Sequence, residues 1–192
     1  MDLSATLAQP LQAAIQPWQN FYLLTGTAAA TLIGLMFIAV TFGASLVDSV
    51  NDEGARAFID PTYSHFFQVL VTACVLLIPS LAASVLGWLV VVGSVVRIGG
   101  VFWVYKHFRR AHRRRGDIEA SDWAMAVVLP MLAFLLLLAS GIGLLEGRSL
   151  ALDALAVVTL VVLAIGVRSA WELLVWMVIE AAGRRQRGAG DR

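Results

Sequence analysis

The sequence predicts an all-α membrane bundle of about five transmembrane helices. Three observations predict it. Positions 3 to 47 hold no charged side chain. Charged residues make up 14% of the 192, where soluble domains carry roughly 25%. Hydrophobic residues make up 59%, and the mean hydropathy is +0.81. A soluble domain of this length cannot bury so much apolar chain, and a disordered chain is polar. The single cysteine, Cys74, lies in an apolar run and reads as a small hydrophobe, which excludes an internal disulfide framework.

The first segment, 1–19, reads as an interfacial helix. Leu3, Leu7, Leu11 and Ile15 recur at four-residue spacing, with Ser4, Thr6, Gln9 and Gln12 among them. That pattern gives one apolar face on the membrane surface. The segment lacks the Lys and Arg expected against an anionic leaflet. Without an early basic residue, and with so long an apolar stretch behind it, a cleavable signal peptide is not expected. No lipidation motif is expected either.

Residues 20–183 read as one transmembrane domain. About 20 apolar residues cross the hydrocarbon core. That ruler gives spans at about 20–46, 62–79, 83–105, 123–144, and 150–171 or longer. The uncharged stretch from 61 to 96 is too long for one crossing, so a reversal is required, and Pro79-Ser80 is the place for it. Asp60-Pro61 fits a helix start with proline in the first turn; Ser121 and Ser149 fit the starts of the fourth and fifth spans. Pro130, inside the fourth span, predicts a kink. Residues 184–192 read as a basic cytoplasmic tail.

The basic residues set the orientation. All of the 14 except Arg97, Arg148 and Arg168 fall on one side of this arrangement, as Arg56, the group Lys106 to Arg115 and the C-terminal arginines. The positive-inside rule then places the N-terminus out and the C-terminus in. Trp18 and Trp88 mark the outer interface; Trp103, Trp123 and Trp171 mark the inner one.

Three groups of residues stand out. Arg97 lies nine residues before Lys106 in the third span, and a cation there needs a partner or must snorkel. Arg168 and Glu172 sit four apart on one helix face toward the same side. A cluster of Arg97, Arg168 and Glu172 reads as an ion or proton pathway, or as an anion site. The competing readings are a salt bridge that fixes packing, or charges at headgroup level beside Trp171. The second group is Gly26, Ala30 and Gly34, a stripe of small residues in the first span. It reads as an oligomerisation or partner face, or as packing among the chain's own helices. The third is Arg109, Arg110, Arg113 and Arg114. These read as a topogenic signal with contacts to lipid headgroups. The same position argues against nucleic-acid binding.

Catalytic patterns are missing. His65, His107 and His112 form no HExxH motif, and one cysteine makes no CxxC. Ser140 has no histidine at its depth, and only Asp153 is near a span as a membrane aspartate. No P-loop or dinucleotide fingerprint occurs. The expectation is a protein that is not an enzyme and takes no cofactor and no metal.

The segment 22–42, YLLTGTAAATLIGLMFIAVTF, carries an aromatic residue, a Gly/Ala-rich stretch and the run Gly34-Leu35-Met36-Phe37-Ile38-Ala39-Val40. It resembles the first span of a group of small bacterial inner-membrane proteins, some loosely labelled membrane-protease modulators. A weaker echo is Ile78-Pro79-Ser80. The resemblance covers about 20 residues and implies a bacterial inner-membrane location and no catalytic residues. The expected function is a helix-packing homo-oligomer or an accessory subunit of a membrane complex. The alternative is a small oligomeric channel or transporter that uses Arg97 with Arg168 and Glu172.

Overall fold

The computed structural model describes residues 15–46, 52–79, 81–112, 128–148 and 150–190. A single 3-10 turn, Gln16–Trp18, leads into α1, Gln19–Leu46. Four further helices follow: α2, Asp52–Leu76; α3, Ala83–His112; α4, Leu129–Leu145; and α5, Leu150–Gly190. No strand occurs among the described residues. The segment 3–14 of the expected interfacial helix lies outside them, as do Ser80, Arg113, Arg114, Ser121 and Ser149.

Three helices are long and apolar enough to cross a bilayer, over Gln16–Phe42, Ala83–Phe102 and Leu150–Ile179. The apolar stretches Thr62–Leu76 and Leu129–Leu145 are shorter. The surface is apolar too. Leu24, Phe37 and Phe42 on α1, Trp88 and Val96 on α3, and Trp171 and Val178 on α5 are all exposed. Such continuous apolar surface is incompatible with water on every side.

One start differs from the sequence expectation. α2 begins at Asp52, ten residues before 62, and continues unbroken through Asp60 and Pro61. The apolar ruler measures hydrocarbon thickness, and a helix is free to run beyond it on its own hydrogen bonds. Pro130 stands in the first described turn of α4. Residues 123–127, the expected start of the fourth span and the segment before the expected kink, lie outside the described residues. α3 and α5 overrun their spans as well, carrying Arg109 and Arg110 in α3 and Arg184, Arg185 and Arg187 in α5.

The neighbour order differs from the chain order. α1 packs on α2, α2 on α5, α5 on α4 and α4 on α3, while α2 and α3 barely touch. The α2–α3 connection spans 77–82 with Pro79 inside it, as expected, but its two helices turn to different partners. α5 is the centre: half of its apolar window is buried, against 22% for α1 and for α3. The core runs through Tyr22, Phe66, Phe134, Leu155, Val158 and Val162.

Glycines set the closest approaches. A Cβ on Gly26 would lie 2.8 Å from the Cβ of Ala73, which brings α1 hard against α2. A Cβ on Gly141 would lie 3.0 Å from the backbone nitrogen of Val91, which seats α4 on α3. The α4–α5 hairpin closes through Gly147, at φ 71°, a left-handed conformation that glycine adopts without penalty. Arg148 N–H donates to the Gly143 carbonyl at 2.9 Å and Gly147 N–H to Leu144 at 3.2 Å. That pair of bonds is the Schellman pattern, and it satisfies two carbonyls at the helix end.

Candidate functional site

Side chains inside the apolar segments settle their polar groups locally. The hydroxyls of Thr27, Thr31 and Thr41 donate to the carbonyls of Leu23, Thr27 and Phe37 on the exposed face of α1, at 2.8–2.9 Å. The buried hydroxyls of Ser94, Ser140 and Thr159 do the same toward Val90, Leu136 and Leu155. This back-bonding to the preceding turn is how a hydroxyl is satisfied without water.

Arg97 breaks the pattern. It is half-buried on α3, and its Nε is buried with no hydrogen-bond partner. Its guanidinium carbon lies 4.8 Å from the centroid of the Phe134 ring, a cation–π contact across α3 and α4. Phe134 is wholly buried and stacks in turn on the His65 ring of α2, with centroids 6.0 Å apart and planes 6° apart. α2 is held there by Phe66, whose ring sits where a Cβ on Gly166 of α5 would fall, 2.7 Å away. Four helices thus converge at the level of Arg97, the midpoint of α3.

The expected three-residue cluster is not assembled. Arg168 Nε meets Glu172 Oε1 at 3.0 Å along α5, with both side chains about half exposed, 56% and 51%. No ion pair among the described residues joins Arg97 to either. Counted along the helices at 1.5 Å per residue, Arg97 is about 21 Å from the start of its apolar window and Arg168 about 27 Å from its own. The exposed Trp171 beside Arg168 fits a boundary position for the pair. Phe134 and His65 were not among the sequence candidates for this site. Phe134 is the only aromatic residue of α4, and that was the one available signal.

The small-residue stripe divides. Gly26 is buried against α2, whereas Ala30 and Gly34 are exposed, and a Cβ on Gly34 would meet nothing within 4 Å. The reason is rotation: a step of four residues turns about 40° past a full turn at 3.6 residues per turn. The stripe therefore winds from the inner face to the outer one. Arg109 and Arg110 extend α3, and Arg113 and Arg114 lie outside the described residues.

Two features lie toward the other end. A groove of about 410 Å³ between α4 and α5 is lined by Leu136, Ala139, Gly143, Leu150 and Ala154, with Arg148 at its rim. Arg148 is engaged by Glu146 at 2.6 Å. Tyr22 Oη on α1 is buried without a hydrogen-bond partner, and its ring meets Phe21 edge-on at 5.0 Å. No group of three or more metal-ligating side chains occurs among the described residues. Compared with known families, curated proteins and solved structures, the chain matches no family model, no curated protein and no solved structure.

Proposed function

We propose that the chain is a multi-pass protein of the bacterial inner membrane that acts by helix packing, as a homo-oligomer or as an accessory subunit of a larger membrane complex. Five crossings follow when α2 and α4, with their shorter apolar stretches, are counted with the three long helices. The N-terminus then faces out and the C-terminus in, and the basic residues of α3 and α5 lie on the cytoplasmic side. The bacterial assignment rests on the resemblance of residues 22–42. Chemistry by the chain itself is not part of this reading.

The observation that carries it is the exposed flank of α1. Ala30 and Gly34, with Thr27 and Thr31 beside them, leave a shallow face whose hydroxyls are already satisfied within the helix. Small residues on an open flank let a second helix approach closely, which is the main source of helix affinity in lipid. A pathway through Arg97, Arg168 and Glu172 has less support, because the last two satisfy each other on an exposed face.

The test is the mass of the complex purified in mild detergent, with its protein content identified. A defined oligomer or a stoichiometric partner is expected for the wild type. Gly34→Leu is expected to dissociate it while leaving the fold intact. Assembly that survives Gly34→Leu removes this flank as the contact surface.

A further inference from the structure

A cation in an apolar span needs an anion, and Arg97 has none among the described residues. Its Nε–H is buried without an acceptor, and no ion pair among the described residues reaches it. Phe134 backs the guanidinium at 4.8 Å. The flank beside it is open. Gly93 and Gly100 stand four residues before and three after Arg97, hence on the same face of α3. A Cβ on either would meet nothing within 4 Å. The result is a notch in the side of α3 with an arginine in it and an aromatic ring behind.

We infer that this notch binds the phosphate of a phospholipid headgroup from the cytoplasmic leaflet. The inference rests on the membrane reading above. The phosphate sits at the guanidinium on the Gly100 side, and the first part of an acyl chain lies over Gly93. Guanidinium offers several N–H donors in a planar fork that matches phosphate oxygens. Arg97 lies nine residues, about 13 Å of helix, before Lys106, the first charged residue after it on α3. The arginine stem covers part of that distance by snorkelling, and the headgroup is drawn in over the rest.

A second copy of the chain is the competing source of the anion, and the described residues argue against it. Among the described side chains Glu172 is the one acid near this depth, and Arg168 holds it at 3.0 Å. Glu146 is engaged by Arg148, and Asp153 lies in the first turn of α5 at the opposite end. Among the described side chains, a partner helix of the same sequence has no uncommitted carboxylate to present at the level of Arg97.

The experiment uses the full chain reconstituted in mixed phosphatidylcholine–phosphatidylglycerol vesicles, extracted gently, and assayed for phospholipid retained per chain by native mass spectrometry. The wild type is expected to keep one tightly held phospholipid. Arg97→Gln is expected to lower its occupancy about fivefold, the scale of one basic residue acting on an anionic headgroup. Gly100→Leu keeps the charge but fills the notch, and is expected to lower occupancy as well. Arg168→Gln is expected to leave it unchanged. Equal retention in the wild type and both notch variants overturns the proposal. Protection of the delipidated chain by inorganic phosphate, with no effect of lipid, overturns it in favour of a soluble anion. An oligomer that dissociates in Arg97→Gln with lipid retention unchanged overturns it in favour of a second copy. Failure of the membrane reading itself shows separately, as wild-type chain released from membranes by an alkaline wash.

Discussion

The guanidinium carbon of Arg97 and the ring of Phe134 lie 4.8 Å apart, and through that ring α3 is connected to a helix it barely touches. Phe134 belongs to α4, and its ring stacks at 6.0 Å on His65 of α2. A single buried aromatic therefore links the two helices that follow one another in the chain but pack on different partners. It also gives the cation a polarisable surface in a region with no countercharge among the described residues.

That contact has a measurable coupling. In a double-mutant cycle, Arg97→Gln and Phe134→Leu are expected to interact by about 1 kcal/mol, in the range of a partly desolvated cation–π pair. The measurement is reversible unfolding of the purified chain in mixed lipid–detergent micelles. Additive effects of the two changes would mean that the ring only fills space.

Glycines at close and open positions should behave oppositely. At Gly141 a new Cβ comes within 3.0 Å of the Val91 backbone nitrogen, so α4 must move off α3. Gly141→Ala is expected to destabilise by about 1–3 kcal/mol, as overpacking does. Gly99 has nothing within 4 Å of the same atom. Gly99→Ala is expected to be neutral or to stabilise by up to about 1 kcal/mol through helix propensity. The same unfolding assay reads both, and a reversed order would contradict the α3–α4 contact.

The turn between α4 and α5 depends on one backbone conformation. Gly147 at φ 71° is where an L side chain is strained whatever the space around it. Gly147→Ala is expected to cost about 1 kcal/mol. Hydrogen exchange should show the loss first at the amides of Gly147 and Arg148, which close the hairpin. Uniform loss across α5 instead would place the effect elsewhere.

How much of this was legible in the sequence follows from what each signal measures. Apolar runs give the start of α1 within a residue and the start of α3 at 83. They miss the first ten residues of α2, because Asp52, Glu53 and Arg56 are helical without being apolar. Neighbour order was not legible at all. Helices apolar on every side carry no stripe that says which face is inward. The spacing of Gly26, Ala30 and Gly34 is equally silent about which of them meets Ala73 and which stays open. Arg97 was visible as an anomaly, but its contact is with a phenylalanine 37 positions away in a run of leucines.

Orientation is open to direct chemistry, and the native thiol must first be removed. Cys74 is exposed on the flank of α2, so Cys74→Ala provides the background with little loss of packing. Single cysteines at Arg148 and Arg110 then report the two ends of the bundle: Arg148 follows α4, and Arg110 lies in the last turn of α3. With the N-terminus out, a membrane-impermeant maleimide added to intact cells is expected to label Arg148→Cys and to leave Arg110→Cys unlabelled until the membrane is opened. Arg148 is a fair probe because its side chain is 73% exposed and its pairing with Glu146 is of the weak surface kind. Labelling of Arg110→Cys in intact cells would put the basic end of α3 outside. The positive-inside argument would then fail for this chain, and the notch at Arg97 would face the opposite leaflet.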